Sequence, residues 1–256
     1  MKFDGIIFDW AGTTVDYGCF APVKAFIDAF ESFGITPTLE EVRKPMGMLK
    51  IDHVRTMLSM DRISRLWEEK YGRPWNEEDV HQVYELSERL ILKIVEQYSD
   101  PKPYVVETVD ALRAMGLKIG STTGYNDAMM ALVVPEAAKA GYAPDCWFSP
   151  DATGQKGRPW PYMIFRNMEA LGLQNVARVM KVGDTVADIK EGKNAGVVTV
   201  GIIEGSSVMG LTREEYEALS PQEKQAADEK TKKVYEDAGA DFVMQDIRGI
   251  LELVKE

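Results

Sequence analysis

Gly5-Ile6-Ile7-Phe8-Asp9-Trp10-Ala11-Gly12-Thr13-Thr14 runs from a short apolar stretch into a small-residue turn, with Asp9 at the junction. Such a run, bounded by a turn, reads as a buried strand. A carboxylate at a strand's carboxyl edge stands where open α/β sheets bind ligands, and there it can hold a hard cation or attack an electrophile. An Asp before Gly-Thr-Thr serves equally well as a turn or helix-capping residue. Two residues on, where a second acid could donate a proton, the chain has Ala11.

Outward from this strand, further apolar runs fall at 117–121, 146–148, 179–182, 197–203 and 241–244. Helical patterns separate them: Val105, Val109, Leu112 and Met115 before Gly116, then Met129, Leu132, Val133 and Ala137 before Gly141. The alternation predicts an α/β fold, a doubly wound parallel sheet wrapped by helices. Residues 17–99 depart from it and look helical throughout. Phe26, Phe30 and Phe33 are spaced for one face, and a second long helix carries Val80 to Tyr98. Asp16-Tyr17-Gly18 and Ser99-Asp100-Pro101-Lys102-Pro103 suit hinges. The expected organisation is a catalytic core of 1–16 and 100–256 with an inserted helical cap of 17–99, poised over the strand edge. The charged segment 212–237 predicts a solvated helical hairpin.

With 256 residues, 45% of them hydrophobic, the chain can bury one sizeable core and a smaller one. Thirty basic against forty-one acidic residues leave a net charge of -11, and no basic block suits nucleic acid. An anionic substrate therefore needs a local source of positive charge. Cys19 and Cys146 match no zinc pattern or disulfide framework, which suggests reduced thiols in a cytoplasm. The start at Met1-Lys2-Phe3-Asp4 has no leader pattern, and no apolar stretch approaches a membrane span.

Three more pieces fall at predicted strand ends. Ser121-Thr122-Thr123-Gly124 offers hydroxyls and backbone donors to a phosphoryl oxygen, or an ordinary helix cap. Gly157-Arg158-Pro159-Trp160-Pro161 is a cationic turn whose Arg could grip a phosphoryl group or pair with a surface acid. Val182-Gly183-Asp184-Thr185-Val186-Ala187-Asp188 ends a strand in carboxylates that, beside Asp9, offer the oxygen ligands Mg²⁺ prefers. Helix capping by Asp184 is the competing reading.

This order of pieces resembles the haloacid dehalogenase superfamily of phosphotransferases over essentially the whole chain. Residues 9–18 and 43–55, the latter reading Arg43-Lys44-Pro45-Met46-Gly47-Met48-Leu49-Lys50-Ile51-Asp52-His53-Val54-Arg55, resemble its phosphonatase family. The resemblance implies Asp9 as nucleophile, Mg²⁺ held by Asp9, the Ala11 carbonyl and Asp184, with Asp188 close by, and Thr123 and Arg158 on the phosphoryl oxygens. Superfamily members usually have Asp where Ala11 stands and Lys where Arg158 stands; Arg matches the phosphonatase branch. The resemblance further implies Lys50 as a Schiff-base residue, phosphonoacetaldehyde as the small-molecule substrate, and a homodimer, for which the helix over 22–33 could offer a contact.

Breaking a P–C bond expels a carbanion, which needs an electron sink; a protonated imine between Lys50 and an aldehyde one carbon from phosphorus is one. An acid at position 11 is then unneeded. Lys50 must lose its proton more readily than an ordinary lysine, whose pKa is about 10.4. Met46, Met48, Leu49 and Ile51 suggest an apolar surround, and Pro45 with Gly47 starts a helix just before Lys50, leaving the amine near the positive end of the dipole. His53 shares that helix face and could move protons, or simply pack. Met46 and Tyr125 are candidate pocket residues, Tyr125 also a proton relay, with core packing as the alternative. Cys19 reads as structural.

Overall fold

Strand β1 (Gly5–Phe8) is fully buried, as its unbroken apolar run requires of a strand covered on both faces. It lies inside a six-stranded parallel sheet, described with the rest of the chain over residues 2–255 in a computed structural model. Positions 1 and 256, the outer ends of the expected core, lie outside the described residues. The other strands are β2 (Lys118–Thr122), β3 (Cys146–Phe148), β4 (Val179–Gly183), β5 (Val198–Ile202) and β6 (Phe242–Met244), in the order β3-β2-β1-β4-β5-β6. The expected strand positions are right to within a residue or so at either end. Phe8 pairs with Ser121 on one side and Val182 on the other, so β1, β2 and β4 end level and deliver Asp9, Thr123 and Asp184 to one edge.

Between β1 and β2 the chain forms α1 (Phe20–Ser32), α2 (Leu39–Arg43), α3 (Lys50–Leu58), α4 (Asp61–Tyr71) and α5 (Glu77–Ile94). They enclose their own apolar cluster, including Phe26, Phe30, Val54, Trp67 and Val83. Phe26 and Phe30 are fully buried there, so these two rings offer no outward contact for a partner. The remaining helices are α6 (Val105–Ala114), α7 (Asp127–Lys139), α8 (Tyr162–Leu171), α9 (Val186–Ala195), α10 (Arg213–Ala218), α11 (Pro221–Asp237) and α12 (Ile250–Leu253). Among the described residues, none of these helices is long and apolar enough to cross a membrane.

The two linkers run side by side. Val15 bridges Pro101, and the Lys102 N–H donates to the Thr14 carbonyl at 2.8 Å. Asp16 caps α1 by accepting the N–H groups of Phe20 and Ala21 at 2.9 and 3.0 Å. Buried Lys102 donates through Nζ to the carbonyls of Gly12 and Glu204 at 2.5 and 2.7 Å, tying the return linker to the turn after β1.

Candidate active site

Asp9 leaves β1 buried, its N–H on the Val182 carbonyl. Asp184 leaves β4 alongside, where its carboxylate accepts Thr13 Oγ1 at 2.9 Å and the Ser207 N–H at 2.7 Å. Gly12 has a φ of +89°, and a Cβ there would overlap the Asp184 carboxylate; only glycine lets this turn lie so near. Asp188 sits in the first turn of α9, where it shares a capping box with Thr185. The expected capping alternative thus falls to Thr185 and Asp188, leaving Asp184 free of it.

Carboxylate oxygens of Asp9, Asp184 and Asp188 lie within 4.8 Å of one another, all buried. Burial, then the neighbouring charges of Asp9 and Asp188, push the Asp184 carboxyl well above the usual range. Burial acts on Asp188 in the same direction, but Arg158 and Lys181 outweigh it and hold that carboxyl down. With Glu191, four buried acids face two buried cations, Arg158 and Lys181. The acids outnumber these two cations and buried Lys102, whose charge also reaches Asp184, and an all-oxygen donor set suits a hard divalent cation. The residues fit such an ion.

Arg158 lies under this cluster. Its guanidinium donates to Asp9 Oδ1 at 2.6 Å, Thr122 Oγ1 at 2.8 Å and Glu191 Oε2 at 2.9 Å, and meets Asp188 at 3.1 Å. The three expected hydroxyls separate. Ser121 donates to the Phe8 carbonyl, Thr122 turns to Glu191, Arg158 and Lys181, and Thr123 alone lines the cavity above Asp9.

Lys50 comes from the helical insertion as the first residue of α3, only 6% exposed. Its Nζ lies 5.1 Å from the Tyr125 ring centre and 5.9 Å from that of Phe26. Burial lowers its pKa, the Arg158 charge adds to this, and Asp9 and Asp184 oppose it. Burial pushes the Cys19 thiol up, so it stays neutral beside the amine. Asp9, Ala11, Cys19, Met46, Lys50, Thr123, Tyr125 and Arg158 line one small cavity of about 20 Å³. The apolar surround differs from the expected one: of Met46, Met48, Leu49 and Ile51 only Met46 lines the cavity, and Phe26 and Tyr125 flank the amine instead.

Tyr125 keeps a buried hydroxyl with no hydrogen-bond partner among the described residues. His53 is fully buried, stacked on Phe26 at 4.0 Å, and does not line the cavity. Burial, then the Lys50 charge, drives its pKa well below the usual value, so it is a neutral ring. Sequence reading missed Lys181, Glu191, Thr13 and Ser207. Two signals were present: Lys181 interrupts the apolar β4, and Glu191 follows Asp188 by one helical turn.

A haloacid dehalogenase-like hydrolase family model matches residues 3–196. The chain is 52% identical over 254 residues to a phosphonoacetaldehyde hydrolase of Lysinibacillus sphaericus (strain C3-41), covering 99% of this chain and 94% of that one. It is 50% identical over 244 residues to a bifunctional phosphonoacetaldehyde hydrolase/aminoethylphosphonate transaminase of Clostridioides difficile (strain 630), covering 95% of this chain and 38% of that longer one. Among solved structures, a phosphonoacetaldehyde hydrolase-like protein from Oleispira antarctica superposes with a TM-score of 0.95 at 37% identity, over 100% of this chain and 92% of that one.

Proposed function

The chain belongs to the haloacid dehalogenase-like hydrolases, in their phosphonoacetaldehyde hydrolase branch, and from that we propose that it hydrolyses phosphonoacetaldehyde to acetaldehyde and orthophosphate. It is a hydrolase of carbon–phosphorus bonds. One observation carries the chemistry: a buried amine from the insertion, Lys50, and a buried carboxylate from the sheet, Asp9, line the same small cavity.

Neutral Lys50 condenses with the aldehyde, releasing water, and the imine takes up one proton from solvent to become a protonated imine. Asp9 then attacks phosphorus. The C–P bond breaks, its electron pair forms the enamine, and the imine nitrogen becomes neutral. Protonation of the enamine carbon and addition of water return Lys50 and free acetaldehyde. A second water cleaves the aspartyl phosphate to orthophosphate and Asp9, so one water is consumed overall. Asp9, Asp184, Asp188 and the Ala11 carbonyl would hold Mg²⁺, which supplies charge neutralisation for the phosphoryl group. Arg158 and Thr123 orient the phosphoryl oxygens. Tyr125, which lines the cavity with Asp9 and whose hydroxyl has no partner among the described residues, would relay a proton; His53 supports Lys50 by packing and stays uncharged. Because the cavity is smaller than the substrate, the insertion must open to admit it, and closure then excludes water.

Borohydride reduction in the presence of phosphonoacetaldehyde tests the imine directly: mass mapping should find the adduct on Lys50. Lys50→Arg should give no adduct and at least a ~10³-fold loss of turnover, whereas Asp9→Asn should lose turnover yet keep the adduct. An adduct elsewhere, or turnover by Lys50→Arg near that of the parent, refutes the assignment. We also read the working form as a cytoplasmic homodimer with reduced Cys19 and Cys146; light scattering at the mass of one chain would overturn the dimer.

A further inference from the structure

Beside the catalytic cavity, between the insertion and the core, lies a larger cleft of about 480 Å³, the size of a small-ligand site. Met46 from the insertion and Thr185 from the core line both spaces, so the two share a wall.

The cleft is cationic in a chain of net charge -11. Arg43 and Lys44 flank it at the end of α2, Lys230 faces them from α11, and Glu40 is the one acid on its walls. Arg43 donates to the carbonyls of Gly18, Ser207 and Gly210 at 2.8, 3.1 and 3.4 Å and pairs with no carboxylate among the described residues. Lys44 and Lys230 have no ion-pair partner there either. Ser207 supplies a second, independent sign of a ligand. It lines the cleft, is 1% exposed, and its hydroxyl has no hydrogen-bond partner among the described residues, while its N–H donates to Asp184 at 2.7 Å. A buried donor left unpaired costs stability unless something accepts from it. An oxyanion would.

We propose that this cleft is the entrance chamber of the active site: an anion subsite that collects the phosphonate dianion and passes orthophosphate out past Met46 and Thr185. The inference rests on the reaction proposed above. A strongly acidic chain repels a dianion at long range, and a local patch of positive charge at the mouth of a cleft reverses the field where it matters. That patch joins residues from insertion and core, so opening the insertion widens the chamber and parts its wall with the cavity in one movement.

The test compares two double variants that change net charge equally. Lys44→Glu with Lys230→Glu alters the cleft. Lys118→Glu with Lys139→Glu alters exposed lysines elsewhere, Lys118 being at the opposite end of the sheet. At an ionic strength of about 0.02 M the cleft pair should lose roughly five- to tenfold in kcat/KM for phosphonoacetaldehyde, and the loss should shrink to under about twofold near 0.3 M. The control pair should match the parent. Equal losses in both pairs, or none in the cleft pair, overturn the chamber while leaving the reaction intact. A parent protein that does not turn over phosphonoacetaldehyde overturns the reaction, and the chamber with it.

Discussion

Arg158 Nη2 lies 2.6 Å from Asp9 Oδ1, joining a turn before α8 to the end of β1. The same planar fork reaches Thr122, Asp188 and Glu191, all of it buried. A lysine ammonium is a single point with three donors and cannot span these partners. Lys181 already meets the same Asp188 oxygen, Oδ1, at 2.9 Å. Arg158→Lys, the residue usual across the superfamily, should therefore cost roughly 10- to 100-fold in kcat/KM here. It should also remove about 3 kcal/mol of stability by leaving a buried acid short of a partner. Kinetics and urea unfolding read the two losses separately; a variant matching the parent in both means that the fork is not used.

Lys50 sets the acid side of the pH profile. Only its neutral form attacks an aldehyde, and burial lowers its pKa, so imine formation should rise with pH through a value below the ordinary 10.4. Stability follows the same group with a definite sign. Between the lowered folded value and the unfolded one, the unfolded chain binds more protons, so stability increases with pH across that window. Below the window both states are charged, and the fold carries the full cost of a buried ammonium. Lys50→Met should thus be inactive yet more stable than the parent at low pH, the difference shrinking as pH rises toward about 10. Denaturant midpoints across pH decide it; a constant difference would show that Lys50 keeps its ordinary pKa.

Asp9 and Asp184 were legible because each follows an apolar run, and Arg158 because it sits between Gly157 and Pro159 in a turn before a helix; such breaks in pattern are local. Lys50 was legible for the same reason, since Pro45 and Gly47 mark the start of its helix, which the structure begins at Lys50 itself. Lys181 and Glu191 were not. Each carries a local signal, but their partners Thr122 and Arg158 reach them from the end of β2 and the turn before α8, segments distant in sequence. The surround of Lys50 was legible in part: Met46 and Tyr125, both named from the sequence, line the cavity, whereas Phe26 reaches the amine from α1, a separation that local pattern does not span.

The acid cluster predicts a stabilising cation. Burial and the charges of Asp9 and Asp188 raise the Asp184 carboxyl, so the folded chain without a cation holds a proton that the unfolded chain releases near pH 4. A divalent cation should displace that proton and favour the fold, by about 2.7 kcal/mol at 100 times its Kd. Melting should therefore rise with Mg²⁺ at neutral pH and fall back with a chelator. Asp184→Asn should melt higher than the parent without Mg²⁺ and respond little to it. The same melting temperature with and without Mg²⁺ in the parent would remove the ion from this site.

Closure of the insertion should depend on Gly47. It has a φ of +85°, which side chains other than glycine rarely adopt, and a Cβ there would overlap Thr185 Oγ1. A second approach of the two halves is close but less severe, since a Cβ on Gly124 would come within 3.1 Å of the Met48 carbonyl. Thr185 cannot simply yield, because its hydroxyl donates to Asp188 at 2.6 Å and caps α9. Gly47→Ala should therefore hold the insertion off the core by the width of a methyl group. An ångström of misplacement between Lys50 and Asp9 is worth about 100-fold in rate. Imine formation needs only Lys50 and the aldehyde, whereas C–P cleavage needs both halves in register. The variant should thus still be trapped on Lys50 by borohydride while its turnover drops about 100-fold. If trapping and turnover fell together, the defect would lie in Lys50 itself; if neither fell, the contact at Thr185 would have no part in closure.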